Sequence, residues 1–418
     1  MKILYKLRGF RKRNPNTSAL ISALLGALCL SVFIYIEAID LNARLINSAF
    51  AVFGLAIWLL ADKKTAFLLG FFTALLWFWW IGLSFLYTEY PFLAPIAAIA
   101  IALIYAVIFL IYAWLPIYAR AAAIAFGFWL IEPFGFAWFK PELILGSGYF
   151  SVHRAAYPLL VLAIYCLVIR AKKRRALYLT IAPIGFAAAL FLPTPTAPKP
   201  PNLSIILANT NIDQSIKWQK SDLPRQITEV FELIDDAIAR EADMIVLPEA
   251  AFAAFLNREE EMLDALLTRS FSIAIVTGGL SLKNHTPYNG AYIFKDGRYA
   301  IADKVFLVPF GEASPLPSWA GRFINRLFFD DAIDYAQASE PTDFTIGGYR
   351  FRAAICYEAA IEAMYRDAPP YMIAVSNNGW FVPSVEPTLQ KLLMRLYARR
   401  YGKIIWHSSN QSPSEVVE

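Results

Sequence analysis

Long apolar runs separated by short polar connections make up most of the first 193 residues, and this feature constrains the fold more than any other. A helix needs about 20 apolar residues to cross the roughly 30 Å hydrocarbon core of a bilayer. Runs near that length cover residues 18–38, 45–61, 65–87, 91–117, 121–139, 156–170 and 176–193. The pattern predicts a transmembrane domain of about seven helices over residues 1–193.

The basic residues indicate the orientation of this domain. The net charge of +5 does not favour nucleic acid as a partner, because the basic residues cluster at the ends of apolar runs. One alternate set of connections holds the N-terminal cluster, Lys63 with Lys64, Arg120 and residues 170–175, whereas the other set is poor in base. The positive-inside rule then puts the N-terminus in the cytoplasm and the polar half of the chain outside it.

Glu132 lies beside Pro133 within the fifth apolar run. A carboxylate at membrane depth is costly unless it is paired or functional. Two interpretations stay open, a functional carboxylate and one that braces neighbouring helices.

A proline-rich stretch marks the boundary between the two halves, since five prolines fall within residues 193–201 and cannot continue a helix. We expect an extended linker over residues 194–201. Beyond it, apolar periodicity predicts strands at 203–208, 244–247, 272–277, 291–294, 352–356 and 372–376, and helices at 222–242, 259–270 and 387–401. This alternation predicts an α/β layered domain over residues 202–418.

Three residues of the polar half stand just after or between predicted strands: Glu249 in Leu-Pro-Glu, Lys304 in Asp-Lys-Val-Phe, and Cys356 in Ile-Cys-Tyr-Glu. Strand ends are where α/β domains gather active sites. A carboxylate base can take the proton of a thiol nucleophile while an ammonium group stabilises the developing oxyanion. Singly, the same residues can be a helix cap, a solvated charge and a buried small hydrophobe.

Together, and in this order, the three residues resemble the Glu-Lys-Cys triad of the nitrilase or carbon-nitrogen hydrolase superfamily. The preceding apolar runs make the chain similar to its membrane-bound branch, the apolipoprotein N-acyltransferases. The motifs that carry this similarity are Gln-Ser-Ile-Lys-Trp at 214–218, Tyr-Asn at 288–289, Pro-Phe-Gly-Glu at 309–312, Cys-Tyr-Glu at 356–358, Ser-Asn at 376–377 and Trp-Phe at 380–381.

The resemblance implies an αββα sandwich and a ping-pong acyl transfer without a cofactor or metal. Glu249 would be the general base, Lys304 the oxyanion stabiliser, and Cys356 the nucleophile that takes an acyl group from a phospholipid. The acceptor would be the α-amine of an N-terminal diacylglyceryl-cysteine on a lipoprotein. The implied location is the bacterial inner membrane, with the catalytic domain facing the periplasm.

Further residues enter through the same resemblance. Supporting roles fall to Glu312, Tyr357 and Glu358. Suspected substrate contacts are Trp218, Tyr288, Asn289 and Trp380. Glu312 can hold Lys304 or relay protons, and a plain loop brace stays open as the alternative. Apolar and aromatic residues with interspersed arginines over 315–329 fit either a lipid-facing lid or an ordinary amphipathic helix.

The sequence departs from the family pattern at several positions. Asn378 stands where the family usually has Asp, and Leu389 or Gln390 and Arg400 stand where a histidine and a glutamate are common. The chain ends at Glu418, without the usual remaining strands and final span. We expect either a short form of the family or a truncated one.

Two rival functions stay open. A membrane-anchored amidase of the nitrilase type would pass the acyl group to water instead of an amine. A non-catalytic assembly or conjugal-transfer factor could keep the same fold. Retention of the triad with Glu312 argues against the second, and the apolar segment 315–329 argues against a water-soluble amide substrate.

Overall fold

A computed structural model of the chain describes residues 15–169, 175–316 and 334–418. Two compact units are found, the first comprising Met1–Pro133 and Phe139–Thr194, and the second Phe134–Trp138 and Pro195–Glu418. The predicted N-terminal basic cluster, most of the basic connection 170–175 and nearly all of the expected lid 315–329 lie outside the described residues.

The first unit is helical. Its helices are α1 (Pro15–Ala38), α2 (Arg44–Leu60), α3 (Lys63–Phe78), α4 (Leu93–Trp114), α5 (Ile117–Phe126), α6 (Leu143–Gly146), α7 (Ala156–Val168) and α8 (Arg175–Phe191), with a 3-10 helix at Trp79–Tyr87. Within the described ranges, four stretches are long and apolar enough to span a membrane: Pro15–Ala38, Lys63–Tyr87, Leu93–Trp114 and Ile117–Gly135. Because α2, α7 and α8 are apolar but shorter, the count of seven spans stays a prediction.

Local chemistry sets helix boundaries in this unit. The Asp62 carboxylate accepts a hydrogen bond of 2.8 Å from the Thr65 backbone N–H and so caps α3. Helix α4 stops before Pro116, since a residue that precedes proline is disfavoured in helical conformation.

Glu132 is paired in this unit. Its Oε1 lies 2.7 Å from Lys140 Nζ, and Lys140 also donates to the Phe128 carbonyl at 3.2 Å. Lys140 is buried, so the pair compensates a charge that would otherwise be costly there. This pairing favours the bracing interpretation of Glu132.

The second unit holds two sheets. Strands β1 (Ile205–Leu207), β2 (Met244–Val246), β4 (Ala274–Lys283), β5 (Thr286–Lys295) and β6 (Arg298–Asp303) follow one another across the first sheet, and β3 (Phe252–Phe255) also pairs with β4. The second sheet has the order β11 (Glu415–Val417), β10 (Ile404–Asn410), β9 (Tyr371–Asn377), β8 (Tyr349–Ile355) and β7 (Asp343–Ile346). Among the described residues, the helices of this unit are α9 (Gln214–Lys217), α10 (Leu223–Ala239), α11 (Glu260–Arg269) and α12 (Glu386–Tyr401).

Alternation along the strands creates two cores. Met244 and Val246 of β2 pack in a cluster with residues of β8, β9 and β10, whereas Ile245 between them packs with residues of α10 and α11. Side chains of a strand point to opposite faces in turn, so the two sheets share one core and α10 and α11 cover the outer face of the first. The buried face of α12 packs against β10 and β11 of the second sheet. The layers are therefore α, β, β and α, as the family resemblance implies.

The predicted strands and helices of the polar half correspond to β1, β2, β4, β5, β8 and β9 and to α10, α11 and α12, with shifted ends. In the described ranges of this unit, five further strands were not predicted: β3, β6, β7, β10 and β11. Residues 192–204 contain no helix or strand.

Candidate active site

Glu249 follows β2 in a connection that one glycine makes possible. A Cβ atom on Gly278 of β4 would lie 2.4 Å from Glu249 Cα and 2.8 Å from Ala250 N, which no backbone tolerates. Ala250 has φ 49° in the left-handed region, so the chain turns sharply just after the glutamate. Gly278 therefore lets β4 run directly beneath Glu249.

Lys304 comes directly after β6 and is fully buried, with 0% of its surface exposed. Its Nζ lies 2.8 Å from both carboxylate oxygens of Glu312 and 4.0 Å from Glu249 Oε1. Burial lowers the pKa of Lys304, but the charges of Glu312 and Glu249 outweigh burial and hold that pKa above its ordinary value. Lys304 is therefore a permanent cation between two carboxylates.

Cys356 directly follows β8 and begins the 3-10 helix Cys356–Ala360. Its φ of 51° lies in the left-handed region, which costs a non-glycine residue about 1–2 kcal/mol. Strain of this kind persists where surrounding structure fixes the backbone, and it clusters at functional sites. The turn places Cys356, a partly buried residue, at the end of the strand.

The Cys356 thiol is electrostatically close to both other members of the predicted triad. Burial raises the pKa of Cys356 well above its ordinary value, the Glu249 charge raises it further, and Lys304 opposes both. The resting sulfur is therefore a protonated thiol that needs a base at the moment of attack. Of the charged groups that act on this thiol, Glu249 has the largest effect.

Glu358 links the turn at Cys356 with the segment that follows Lys304. Its carboxylate accepts hydrogen bonds from the backbone N–H groups of Ile355 at 2.9 Å, Val305 at 2.8 Å and Phe306 at 3.2 Å. Burial raises the pKa of Glu358 to about 7, although Lys304 and these three N–H groups oppose the rise. Glu358 fixes the backbone on both sides of the site.

Asn289 lies on β5 and bridges two carboxylates. Its Nδ2 donates to Glu249 Oε1 and to Glu312 Oε1, each at 2.8 Å. The second oxygen of Glu249 accepts the Asn377 backbone N–H at 2.9 Å. Both oxygens of the predicted base are thereby held, and the amide nitrogen of Asn289 donates to both carboxylates.

Tyr357 is held by the segment Phe134–Trp138 of the same unit. Its hydroxyl accepts the Ala137 backbone N–H at 2.8 Å and donates to the Gly135 carbonyl at 3.1 Å. The ring lies nearly parallel to those of Phe136 and Trp138, at centroid distances of 6.0 and 5.7 Å. Tyr357 thus anchors the residue after the thiol.

The remaining predicted substrate contacts lie in partly exposed places. Trp218 is 43% exposed and follows α9 directly. Tyr288 precedes Asn289 on β5, with Lys283 Nζ 5.0 Å from its ring centroid. Trp380 ends the 3-10 turn Asn378–Trp380 after β9. Their contact with substrate stays a prediction, whereas Glu249, Lys304, Cys356, Glu312, Glu358 and Asn289 form one cluster.

The positions that depart from the family pattern form their own contacts. Asn378 Nδ2 donates to Gln390 Oε1 at 3.2 Å, so two neutral amides pair beneath the turn. Arg400 pairs with Glu362 at 3.0 Å. In the described part of the chain, no three His, Cys, Asp or Glu residues are grouped to hold a metal ion.

Sequence reasoning missed two buried charged residues near Glu249, namely Lys217 and Glu386. Lys217 stands within the motif at 214–218, which was a signal, but its burial could not be read from the sequence. Glu386 opens α12 and looks like an ordinary first-turn acid of a surface helix.

Comparison with known proteins covers both halves of the chain. Residues 17–190 match the apolipoprotein N-acyltransferase integral membrane domain, and residues 208–403 match the carbon-nitrogen hydrolase family. The apolipoprotein N-acyltransferase of Wolinella succinogenes is 36% identical over 400 residues, which cover 94% of this chain and 95% of that protein. This chain belongs to the apolipoprotein N-acyltransferase family.

A second member of this family, from Helicobacter hepaticus, is 35% identical over 389 residues, covering 89% of this chain and 94% of the relative. A solved CN-hydrolase superfamily protein from Xanthomonas campestris is 18% identical and covers 50% of this chain and 76% of its own, with a TM-score of 0.37. Family membership makes the protein a bacterial membrane enzyme, an N-acyltransferase built on the carbon-nitrogen hydrolase fold.

Proposed function

We propose that this enzyme moves a fatty acyl group from a membrane phospholipid to the α-amine of an N-terminal diacylglyceryl-cysteine, through a thioester on Cys356. The observation that carries the proposal is the fully buried Lys304 ammonium, 4.0 Å from Glu249 and electrostatically coupled to the Cys356 thiol. A base, a nucleophile and a fixed cation are the three parts that acyl transfer through sulfur requires.

In the first half-reaction, Cys356 Sγ attacks the ester carbonyl carbon while Glu249 takes the thiol proton. The Lys304 ammonium stabilises the oxyanion. The C–O bond to the lysophospholipid then breaks, and its alkoxide receives the proton from Glu249. Because the resting thiol is protonated, attack and proton transfer are coupled.

In the second half-reaction, the lone pair of the lipoprotein α-amine attacks the thioester carbonyl. Glu249 takes a proton from the amine and passes it to the departing Cys356 thiolate. The products are an amide and the resting thiol, so the same base serves both halves of the cycle. Asn289 and Asn377, which hold both oxygens of Glu249, support this dual use.

We further assign residues 1–193 to the membrane domain, 194–201 to the linker and 202–418 to the catalytic domain. The enzyme would lie in the bacterial inner membrane with its catalytic domain on the periplasmic side, as the basic connections favour. Trp218, Tyr288 and Trp380 would contact the lipid substrates. A membrane-impermeant thiol reagent applied to intact cells should label a cysteine placed at exposed Lys220, and protection of that cysteine would overturn this orientation.

The mass of the intact protein tests the chemistry. Purified enzyme exposed to phospholipid should gain one acyl group at Cys356, and Cys356→Ala should gain none, whereas Cys166→Ala should behave like the unmodified enzyme. A lipopeptide with a free diacylglyceryl-cysteine amine should discharge the adduct, and one with a blocked amine should not. Discharge by water alone, at the same rate with either peptide, would favour the amidase alternative.

A further inference from the structure

Lys217 is a buried cation. It is 0% exposed, and its Nζ has no hydrogen-bond partner among the described residues. Burying an ammonium group without a partner is costly, and native proteins retain such groups where they have a role. Lys217 therefore needs an explanation beyond packing.

The helical turn that carries Lys217 is tied to the base. Gln214 and Lys217 are three residues apart on α9 and so lie on one face of it. Gln214 Oε1 accepts a hydrogen bond of 3.0 Å from Asn377 Nδ2, and the Asn377 backbone N–H donates to Glu249 Oε2. This face of α9 is thus one residue removed from the Glu249 carboxylate.

Glu386 is a buried acid that lies far from Lys217 in the sequence. It opens α12, which packs against the 3-10 helix that begins with Cys356. Glu386 is 1% exposed, and its Oε2 has no partner in the described part of the chain. A first-turn glutamate normally reaches solvent, so burial here also needs a reason.

The two groups change charge together. Burial lowers the pKa of Lys217 to about 8, with Glu249 opposing the change, and burial together with the Glu249 charge raises the pKa of Glu386 to about 8. Near neutral pH, Lys217 is mainly an ammonium and Glu386 mainly a neutral acid. Above about pH 8 both lose a proton, so the surroundings of Glu249 gain negative charge.

We propose that Lys217 and Glu386 are positioning residues that act through Glu249, Lys217 by supplying positive charge to the surroundings of the base and Glu386 by setting how much negative charge opposes thiolate formation at Cys356. This assignment rests on the proposed roles of Glu249 and Cys356. The other titratable groups whose charges interact with Glu249 or Cys356 are Lys304, Glu312 and Tyr335.

The effects of the two substitutions should have opposite signs. Lys217→Met keeps the shape and removes the positive charge, so the negative charge around Cys356 is less compensated and thiolate formation at about pH 7 slows about tenfold. Glu386→Gln removes a negative charge that appears only at alkaline pH, so thiolate formation at about pH 9 becomes faster. Damage to the fold would slow thiolate formation in both variants.

The experiment measures alkylation of Cys356 by iodoacetamide from about pH 6 to about pH 10 on the full chain in detergent, with the Cys356 peptide quantified separately. Lys217→Arg should recover most of the loss at neutral pH. The matched controls are Lys220→Met and Glu260→Gln, at two exposed positions, the second in the first turn of α11. Both should leave the pH dependence of the alkylation rate unchanged.

Changes of the same sign in Lys217→Met and Glu386→Gln would overturn the proposal, as would a Lys217→Arg variant no better than Lys217→Met. The readout uses neither phospholipid nor lipopeptide. An enzyme that fails to transfer acyl groups but shows the opposite shifts would refute the proposed substrates and leave the roles of Lys217 and Glu386 intact.

Discussion

Glu358 accepts the backbone N–H of Ile355 at 2.9 Å and, with the same carboxylate, the N–H of Val305 at 2.8 Å, so one side chain fixes the residue before the nucleophile and the residue after Lys304. Buried N–H groups that lose their acceptor cost about 1–3 kcal/mol each.

The first prediction concerns this carboxylate. Glu358→Ala leaves one buried and two partly buried N–H groups without their acceptor, so we expect a loss of stability of about 3 kcal/mol and acylation of Cys356 slower by at least about tenfold. Thermal unfolding in detergent and intact mass after exposure to phospholipid measure the two effects. Exposed Glu260→Ala is the control, and an equal effect of both substitutions would contradict the role of Glu358.

Asn289 offers a test between positioning and substrate binding. Asn289→Asp keeps the shape but replaces a donor to Glu249 and Glu312 with a third acid, so we expect the acylation rate at saturating phospholipid to fall about 100-fold. The apparent KM should change little. Asn284→Asp, at an exposed position, should leave the acylation rate and the apparent KM unchanged. A rise in KM with an unchanged maximal rate would make Asn289 a substrate contact instead.

Gly278 should tolerate no side chain. Gly278→Ala places a Cβ 2.4 Å from Glu249 Cα, so β4 or the Glu249 connection must shift, at a cost of about 1–3 kcal/mol. Acylation of Cys356 should fall further than stability does, because the shift displaces the base. Gly146→Ala is the matched control, since a Cβ there meets nothing within 4 Å. Normal acylation in Gly278→Ala would show that the position of Glu249 is not critical.

The burial of His407 should make the folded protein less stable at acid pH. Burial lowers its pKa to about 4, whereas the unfolded value is about 6.5. As the pH falls below about 6.5, the unfolded chain takes up a proton that the folded chain does not, so folding loses about 2 kcal/mol by about pH 5. The fall in unfolding temperature between about pH 7 and pH 5 should shrink in His407→Gln and persist in exposed His285→Gln. An undiminished fall in His407→Gln would assign the acid sensitivity to other groups.

Short motifs at strand ends singled out Glu249, Lys304 and Cys356, which the structure brings into one cluster. Apolar alternation made most inner strands predictable. Strand β10 was missed because His407, Ser408 and Ser409 are polar, although all three are buried. Their polar atoms are satisfied by tertiary partners, such as the Ala208 carbonyl that accepts from Ser408 Oγ at 2.7 Å. A pattern based on hydrophobicity cannot detect a strand whose burial depends on hydrogen bonds made elsewhere.

The contacts of Lys217, Glu386 and Tyr357 were also beyond sequence reasoning. Charged residues are seldom fully buried, so the sequence favours exposure for Lys217 and Glu386. The hydrogen bond between Tyr357 and Ala137 joins residues 220 positions apart. No local periodicity reports a pairing at that separation.

The same separation has a consequence for biosynthesis. Ribosomes make Phe134–Trp138 long before Tyr357, so the early segment must wait for most of the second unit to be synthesised before it can receive the tyrosine. Contacts between residues so distant in sequence form slowly, because a long loop must close first. The turn that carries the thiol is therefore expected to reach its final geometry late. Newly made chains should then lack acyl-transfer activity until folding is nearly complete.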